Sequence, residues 1–278
     1  MTYAPVLGEQ LSDLSYWIHE RQAILRRRKT GAPKPWTSDL ILQKYKFCNV
    51  HREDDRVTVW IKEHWREPYE GHINMWIAMC LARMLNWPPT LEEVGFPEVW
   101  DPIRILPILQ AIKARGDKVW TGAYMVTTSG EKIDKDIGVL KILNRIWTEG
   151  RRPLLGDSLE VAWRGLQVKG FGPFLAGQVV ADLKYTHVLA HAPDWMSWAA
   201  IGPGSMRGLN RLSGRYLWAV INQEQALEEM TFTKGLLDKE TSLVAGMHMQ
   251  DFQNCLCEFD KFQRIKEGGK VRSSYPGV

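Results

Sequence analysis

The chain has 278 residues, 45% of them hydrophobic and 24% charged, with a formal net charge of +4. That is enough chain for a full core in one domain or two lobes; the composition is globular rather than disordered or fibrous, and the charge admits a polyanionic partner without demanding one. Cys48, Cys80, Cys255 and Cys257 give neither a disulfide framework nor a two-pair zinc spacing, no signal peptide opens the chain, and the longest apolar stretch, around Met75 to Leu85, is broken by Arg83, so a reducing cytoplasm and no membrane are expected.

Leu11 to Arg28 reads as a helix with Leu14, Trp17, Ile18 and Leu25 on one side. Its basic end, Arg26 to Lys29, is either a solvated face or a phosphate contact. Gly31 to Pro35 is a loop, after which Thr37 or Ser38 caps a helix with Asp39 in its first turn. In Tyr45 to Thr58, a helical reading places Asn49, Arg52 and Arg56 on one face with Glu53 and Asp55 as partners. That face is either a surface ion-pair network or a grip on phosphate, with an aspartate orienting the arginines.

Gly71 to Trp87 is apolar nearly all round and predicts a buried helix stopped by Pro88-Pro89. Thr90-x-x-Glu93 has the form of a capping box, and a helix-rich segment runs from Ile103 to Arg115. Gly122 to Val126 reads as an apolar connector, Thr127 to Lys132 as a polar turn, and Lys135 to Thr148 as another helix. Thirteen tryptophans are many; buried ones serve a core, and exposed ones could stack on bases.

Ser158 to Gln167 and Phe174 to Tyr185 are helical patterns around Lys169-Gly170-Phe171-Gly172-Pro173. The glycines permit a tight turn, and the second helix then begins with free N–H groups suited to an anion such as a backbone phosphate. The plainer alternative is a simple helix–helix connection. This stretch looks like the helix-hairpin-helix of the DNA glycosylase superfamily. Such glycosylases place a catalytic aspartate at about the distance of Asp194, which follows Gly172 by 22 residues. Lyase-type members carry a lysine just after the glycines; Pro173 and Phe174 stand there instead, which excludes a lysine Schiff base at that position.

Gly202-Pro203-Gly204-Ser205 precedes a helix start, with Arg207 and Arg211 four residues apart. It is either a phosphate-type constellation or a capped surface helix. It lacks the Gly-x-x-x-x-Gly-Lys-Ser pattern of a nucleotide-binding loop. His248 to Arg264 forms a last helix carrying Glu258 and Lys261, and Gly268 to Val278 a loose tail. Strand signals are scarce, so a mainly α fold is expected.

Taken together, Asn49 to Arg56, Gly170 to Phe174, Gly202 to Arg211 and Leu256 to Lys261 resemble the phage α-glutamyl/putrescinyl-thymine pyrophosphorylases, or amino acid:DNA transferases. The resemblance spans roughly Trp36 to Arg264 and implies a single glycosylase-like helical domain over 1–278, its two helical lobes flanking a cleft. It implies double-stranded phage DNA carrying pyrophosphorylated 5-hydroxymethyluracil as substrate, in the cytoplasm of an infected bacterial host. The base would be flipped out and its pyrophosphate displaced by the amine of an amino acid, glycine first, or of a polyamine. Arg52, Arg56, Arg207 and Lys261 would hold pyrophosphate. Asp194 or Glu258 would take the proton, with Asn49 and Asp55 beside Arg52. Lys169, Gly170, Phe171, Gly172, Gly202, Gly204, Ser205 and Arg211 would meet DNA. No protein-bound metal or cofactor is implied, although Mg²⁺ could accompany pyrophosphate. A hydrolytic glycosylase and a noncatalytic DNA-binding module are the rival readings.

Overall fold

The computed structural model describes residues 6–122, 126, 128, 130–241 and 244–270. Among these the protein is mainly helical, with no β-strand. In chain order the helices are α1 (Gly8–Lys29), α2 (Leu40–Lys44), α3 (Arg56–Ile61), α4 (Met75–Leu85), α5 (Pro88–Val94) and α6 (Pro102–Ala114). They continue with α7 (Lys135–Glu149), α8 (Leu159–Leu166), α9 (Pro173–Leu183), α10 (Pro203–Leu212), α11 (Gln223–Glu240) and α12 (Met249–Lys266). The helices form two compact units: one joins Met1–Asp55 to Met196–Val278, the other is Arg56–Trp195. The expected connector at Gly122 to Val126, the turn at Thr127 to Lys132 and the tail from Gly268 fall partly on residues outside those described.

The first unit is organised around α12. Phe252, Cys255, Leu256 and Phe259 on it are fully buried, as are Leu14, Trp17 and Ile18 of the α1 stripe. Removing that much apolar surface from water is the dominant stabilising term. Arg21 lies within the same buried stripe of α1. The cap of α2 is Asp39, not Thr37 or Ser38: its Oδ1 accepts from Ile41 N and Leu42 N, while Thr37 Oγ1 accepts from Asp39 N. A carboxylate there meets two orphan amides and the positive helix end together, which favours it over a hydroxyl.

Helix α10 approaches α12 closely because of its glycines. A Cβ on Gly204 would lie 2.3 Å from Cys257 Sγ, and one on Gly208 would lie 2.4 Å from the Leu256 carbonyl oxygen. Gly208→Ala should therefore push α10 off α12 and cost about 1–3 kcal/mol. The control is Gly235→Ala in α11, where a Cβ meets nothing within 4 Å, and where the change should stabilise by roughly 0.5–1 kcal/mol. Urea midpoints shifted in the same direction by both variants would refute the packing argument.

The second unit is built on α4, all of whose residues are buried, packed against α7 and α9. Its bounds correct the sequence reading. It starts at Met75 after a turn in which Gly71 has φ +83°, and it is ended by Asn86 in the left-handed region at φ +48°. Pro88 and Pro89 do not stop it; they form the first turn of α5, where a missing N–H costs nothing. Thr90 is no capping residue either: its Oγ1 donates to Val119 O at 3.0 Å from inside α5. Arg83 is buried and forks onto Asp182 of α9, Nε and Nη2 each 2.5 Å from a carboxylate oxygen, with Thr58 Oγ1 at 3.0 Å and Asn86 Oδ1 at 3.1 Å.

Candidate functional site

In the first unit, residues 46–52 run down α12, one helical turn at a time. Lys261 Nζ donates to Lys46 O at 2.5 Å, Cys48 N donates to Glu258 Oε2 at 3.2 Å, and Asn254 Nδ2 donates to Asn49 O at 3.0 Å. Arg52 N then donates to Asp251 Oδ1 at 3.0 Å. Asp251, Asn254, Glu258 and Lys261 thus form one polar stripe of α12. From the other side Arg21 reaches Cys48 O at 3.2 Å, Phe47 O at 3.3 Å and Asn49 Oδ1 at 3.1 Å.

This corrects the reading of Asn49, Arg52 and Arg56 as one helical face. Only Arg52–Asp54 forms a 3-10 turn, Asp55 is extended, and Arg56 opens α3 in the other unit. The cause is local competition for backbone groups. Asn49 N donates to Asp55 Oδ1 at 2.9 Å, and Asn49 Nδ2 donates to Asp54 O at 2.8 Å. Asn49 and Arg52 are buried, whereas Arg56 is exposed.

Glu258 is buried, and its bonds to Cys48 N and Lys261 Nζ, the latter at 3.4 Å, both fall on Oε2. Burial pushes the Cys257 thiol up to about 12, and Glu258, Asp260, Arg207 and Lys261 all act on it. The charge of Glu258, with loss of solvation second, holds the Cys48 thiol well above its ordinary value. Neither thiol is therefore a thiolate nucleophile near neutral pH.

Asp260, 1% exposed, holds both arginines of α10: Oδ2 accepts from Arg207 Nε at 2.8 Å and Oδ1 from Arg211 Nε at 3.0 Å. Arg211 is also paired with Glu267. Gly202 N donates to Ser205 Oγ, and the fully buried Ser205 also takes Gln253 Nε2 at 2.8 Å. Packing thus accounts for Gly204 and Ser205 as they stand, while Lys261 pairs with Glu258 and Arg207 with Asp260 on the same helix.

In the second unit α8 and α9 are joined by a turn closed by reciprocal bonds between Val168 and Phe171, at 3.2 and 2.8 Å. Gly170 takes φ +93°, Phe171 is buried as the anchor, and Lys169 is exposed. Gly172 N-caps α9 at φ −86°. Asp194 lies partly buried, its Oδ1 accepting from Leu159 N at 2.7 Å and its Oδ2 from Glu160 N at 3.2 Å. Both oxygens thus serve the start of α8.

Sequence reasoning missed Arg21, Asp251, Asn254 and Asp260. The legible signal was a charged side chain inside a buried helical stripe: Arg21 among Leu14, Trp17, Ile18 and Leu25, and Asp251 in register with Cys255 and Phe259. His51 was passed over too. Its Nδ1 lies 3.0 Å from Asp251 Oδ2, and that hydrogen bond raises the imidazole above its ordinary value, against a smaller opposing effect of burial. A raised folded-state value gives stability that is complete below about pH 6.5 and is lost as pH rises through the raised value. The His51 ring resonance should accordingly titrate above that of an unfolded histidine, and Asp251→Asn should bring it down. An unmoved midpoint in an NMR titration of the variant would refute the coupling. Among the described residues no three His, Cys, Asp or Glu side chains converge as a metal site, and no helix is long and apolar enough to cross a membrane.

A family profile described as "5-hmdU DNA kinase, helical domain" matches residues 9–271. The 5-hmdU DNA kinase of Bacillus phage SP10 is 28% identical over 235 residues, which are 74% of this chain and 36% of that protein. The chain thus spans about a third of the length of that relative. No solved structure matches. With nearly the whole chain inside the match, the protein belongs to the family of the 5-hmdU DNA kinase helical domain.

Proposed function

We propose that this chain serves phage thymine hypermodification, acting on DNA that carries 5-hydroxymethyluracil, and that its own step is displacement of pyrophosphate from the modified base by an amine. The family and its phage relative support the pathway. The observation that carries the chemistry is a carboxylate with cations set along α12: buried Glu258 has Lys261 Nζ 3.4 Å from its Oε2, and two residues on, Asp260 holds Arg207 at 2.8 Å. Phosphoryl transfer from a nucleotide is not proposed for this chain, which lacks the phosphate-cradling glycine-lysine loop.

In this reading the amine nitrogen forms a bond to the 5-methylene carbon while the carbon–oxygen bond to pyrophosphate breaks, and the electron pair leaves with the oxygen. Arg207 and Lys261 offset the charge developing there. Glu258, with Oε2 engaged and Oε1 remaining, takes the proton from the amine. Glycine is the first donor to try, being the smallest, with glutamate and putrescine next. The test is nucleoside mass spectrometry of pyrophosphorylated DNA incubated with the protein and a pool of amines. A base mass raised by one amine supports transfer, and an abasic site supports hydrolytic excision. DNA binding without either would favour a second reading, a DNA-holding module, which draws on the match to a domain of a longer kinase.

The turn between α8 and α9 is the proposed backbone clamp. A Cβ at Gly172 meets nothing within 4 Å and its φ is ordinary, so substitution there probes binding rather than folding. Gly172→Asp places a negative charge at the start of α9 and should weaken DNA binding by about tenfold at moderate salt, on modified and unmodified duplexes alike. Unchanged affinity in an anisotropy titration would remove this turn from the interface.

A further inference from the structure

We infer that the loop from Arg215 to Ile221 is a base-stacking element, which receives an unstacked nucleobase of DNA on Trp218. The inference rests on the proposed reading of the chain as a DNA-acting protein and adds a surface that reading does not use. Tyr216, Trp218 and Val220 are 74%, 62% and 85% exposed, while Arg215, Leu217 and Ala219 between them are partly buried. Large apolar side chains presented singly along a loop form a row of protrusions rather than the contiguous patch typical of a protein interface.

The loop is held in place from beneath. Asn210 of α10 is fully buried, and its Nδ2 donates to Leu217 O at 3.0 Å and to Ala219 O at 2.8 Å. Its Oδ1 accepts from Arg215 Nε at 2.9 Å, and Arg215 is forked onto Glu229 at 2.6 and 2.5 Å. The residues at the loop's base are thus ordered before any partner arrives, which lowers the entropic cost of binding.

The chemistry at the tip suits a base attached to phosphate. Arg207, fixed by Asp260, places its guanidinium carbon 5.2 Å from the centre of the Trp218 ring. An exposed indole backed by a fixed cation stacks a base of any identity while drawing in the adjoining phosphate. Single-stranded or extruded nucleotides fit this platform; a fully paired duplex, whose base faces are covered, does not.

The test is fluorescence anisotropy of the full chain with a labelled single-stranded oligonucleotide and with the same sequence fully paired. Trp218→Ala should weaken single-strand binding by about 5- to 150-fold, the fold-change equivalent of losing one base–aromatic stack. Duplex affinity should change less than about twofold, and Trp218→Phe should retain most of the single-strand affinity. The melting temperature should be unchanged, since the side chain is solvent-facing. Equal losses on both DNAs, or none on either, would overturn the inference while the wild type's binding upholds the DNA reading. If the wild type binds neither DNA, both fall. If Trp218→Ala instead converts a dimer to a monomer in sedimentation, the loop is a self-association surface and the stacking role is wrong.

Discussion

Asp182→Asn should cost about 3–5 kcal/mol, the expected penalty for removing one partner of a buried ion pair. Against a total stability of roughly 5–15 kcal/mol for a typical domain, this is a large fraction of what holds the second unit folded. Arg83 is 2% exposed and Asp182 is 0% exposed. Asparagine keeps the shape of Asp182 but leaves the guanidinium in the core without its counter-charge. Thr58 and Asn86 still accept from it, but neutral acceptors do not replace a carboxylate. The double variant Arg83→Met, Asp182→Leu should recover much of the loss, because replacing both charges with apolar groups of similar volume is often neutral or better. Urea denaturation followed by circular dichroism measures both. A single-variant loss below about 1 kcal/mol would mean that water reaches the pair.

What the sequence revealed and what it hid separate along one physical line. Periodicity reports burial of whole faces, so α1 and α4, apolar but for Arg83, could be read directly, as could the glycine-marked turn between α8 and α9. Helix α11 was not read, because its fully buried apolar residues Ala226, Met230 and Leu237 are sparse among polar ones. Residues 49–56 carry helical spacing, yet Asn49 and Asp55 spend their polar groups on local backbone and break the helix. The site is harder still, because it is made of long-range pairs. Glu258 and Lys261 are an ordinary intrahelical pair by spacing, and only the fold lays Lys46 and Cys48, more than 200 positions away, across them. Arg207 and Arg211 were legible as a pair four apart, while the carboxylate that aims them, Asp260, was not.

Glu258→Gln should reduce amine transfer by about 10²- to 10⁴-fold, the usual contribution of a positioned general base, and should leave DNA binding intact. Glutamine retains an oxygen to accept from Cys48 N and Lys261 Nζ, so the segment running down α12 should stay in place. What it loses is the ability to take the ammonium proton. The loss should shrink as pH rises toward the ordinary pKa of the donor amine, since a donor already deprotonated needs no base. The comparison that gives this result its meaning is Asp194→Asn. Both oxygens of Asp194 accept backbone N–H groups at the start of α8, and asparagine offers one acceptor where aspartate offers two. Its effect should therefore lie in stability, about 0.5–1 kcal/mol, with transfer per folded molecule nearly unchanged. The opposite pattern, in which Asp194→Asn abolishes transfer at full stability and Glu258→Gln is active at every pH, would move the proton acceptor to the second unit. It would leave Glu258 as the residue that holds Cys48 against α12 and pairs with Lys261.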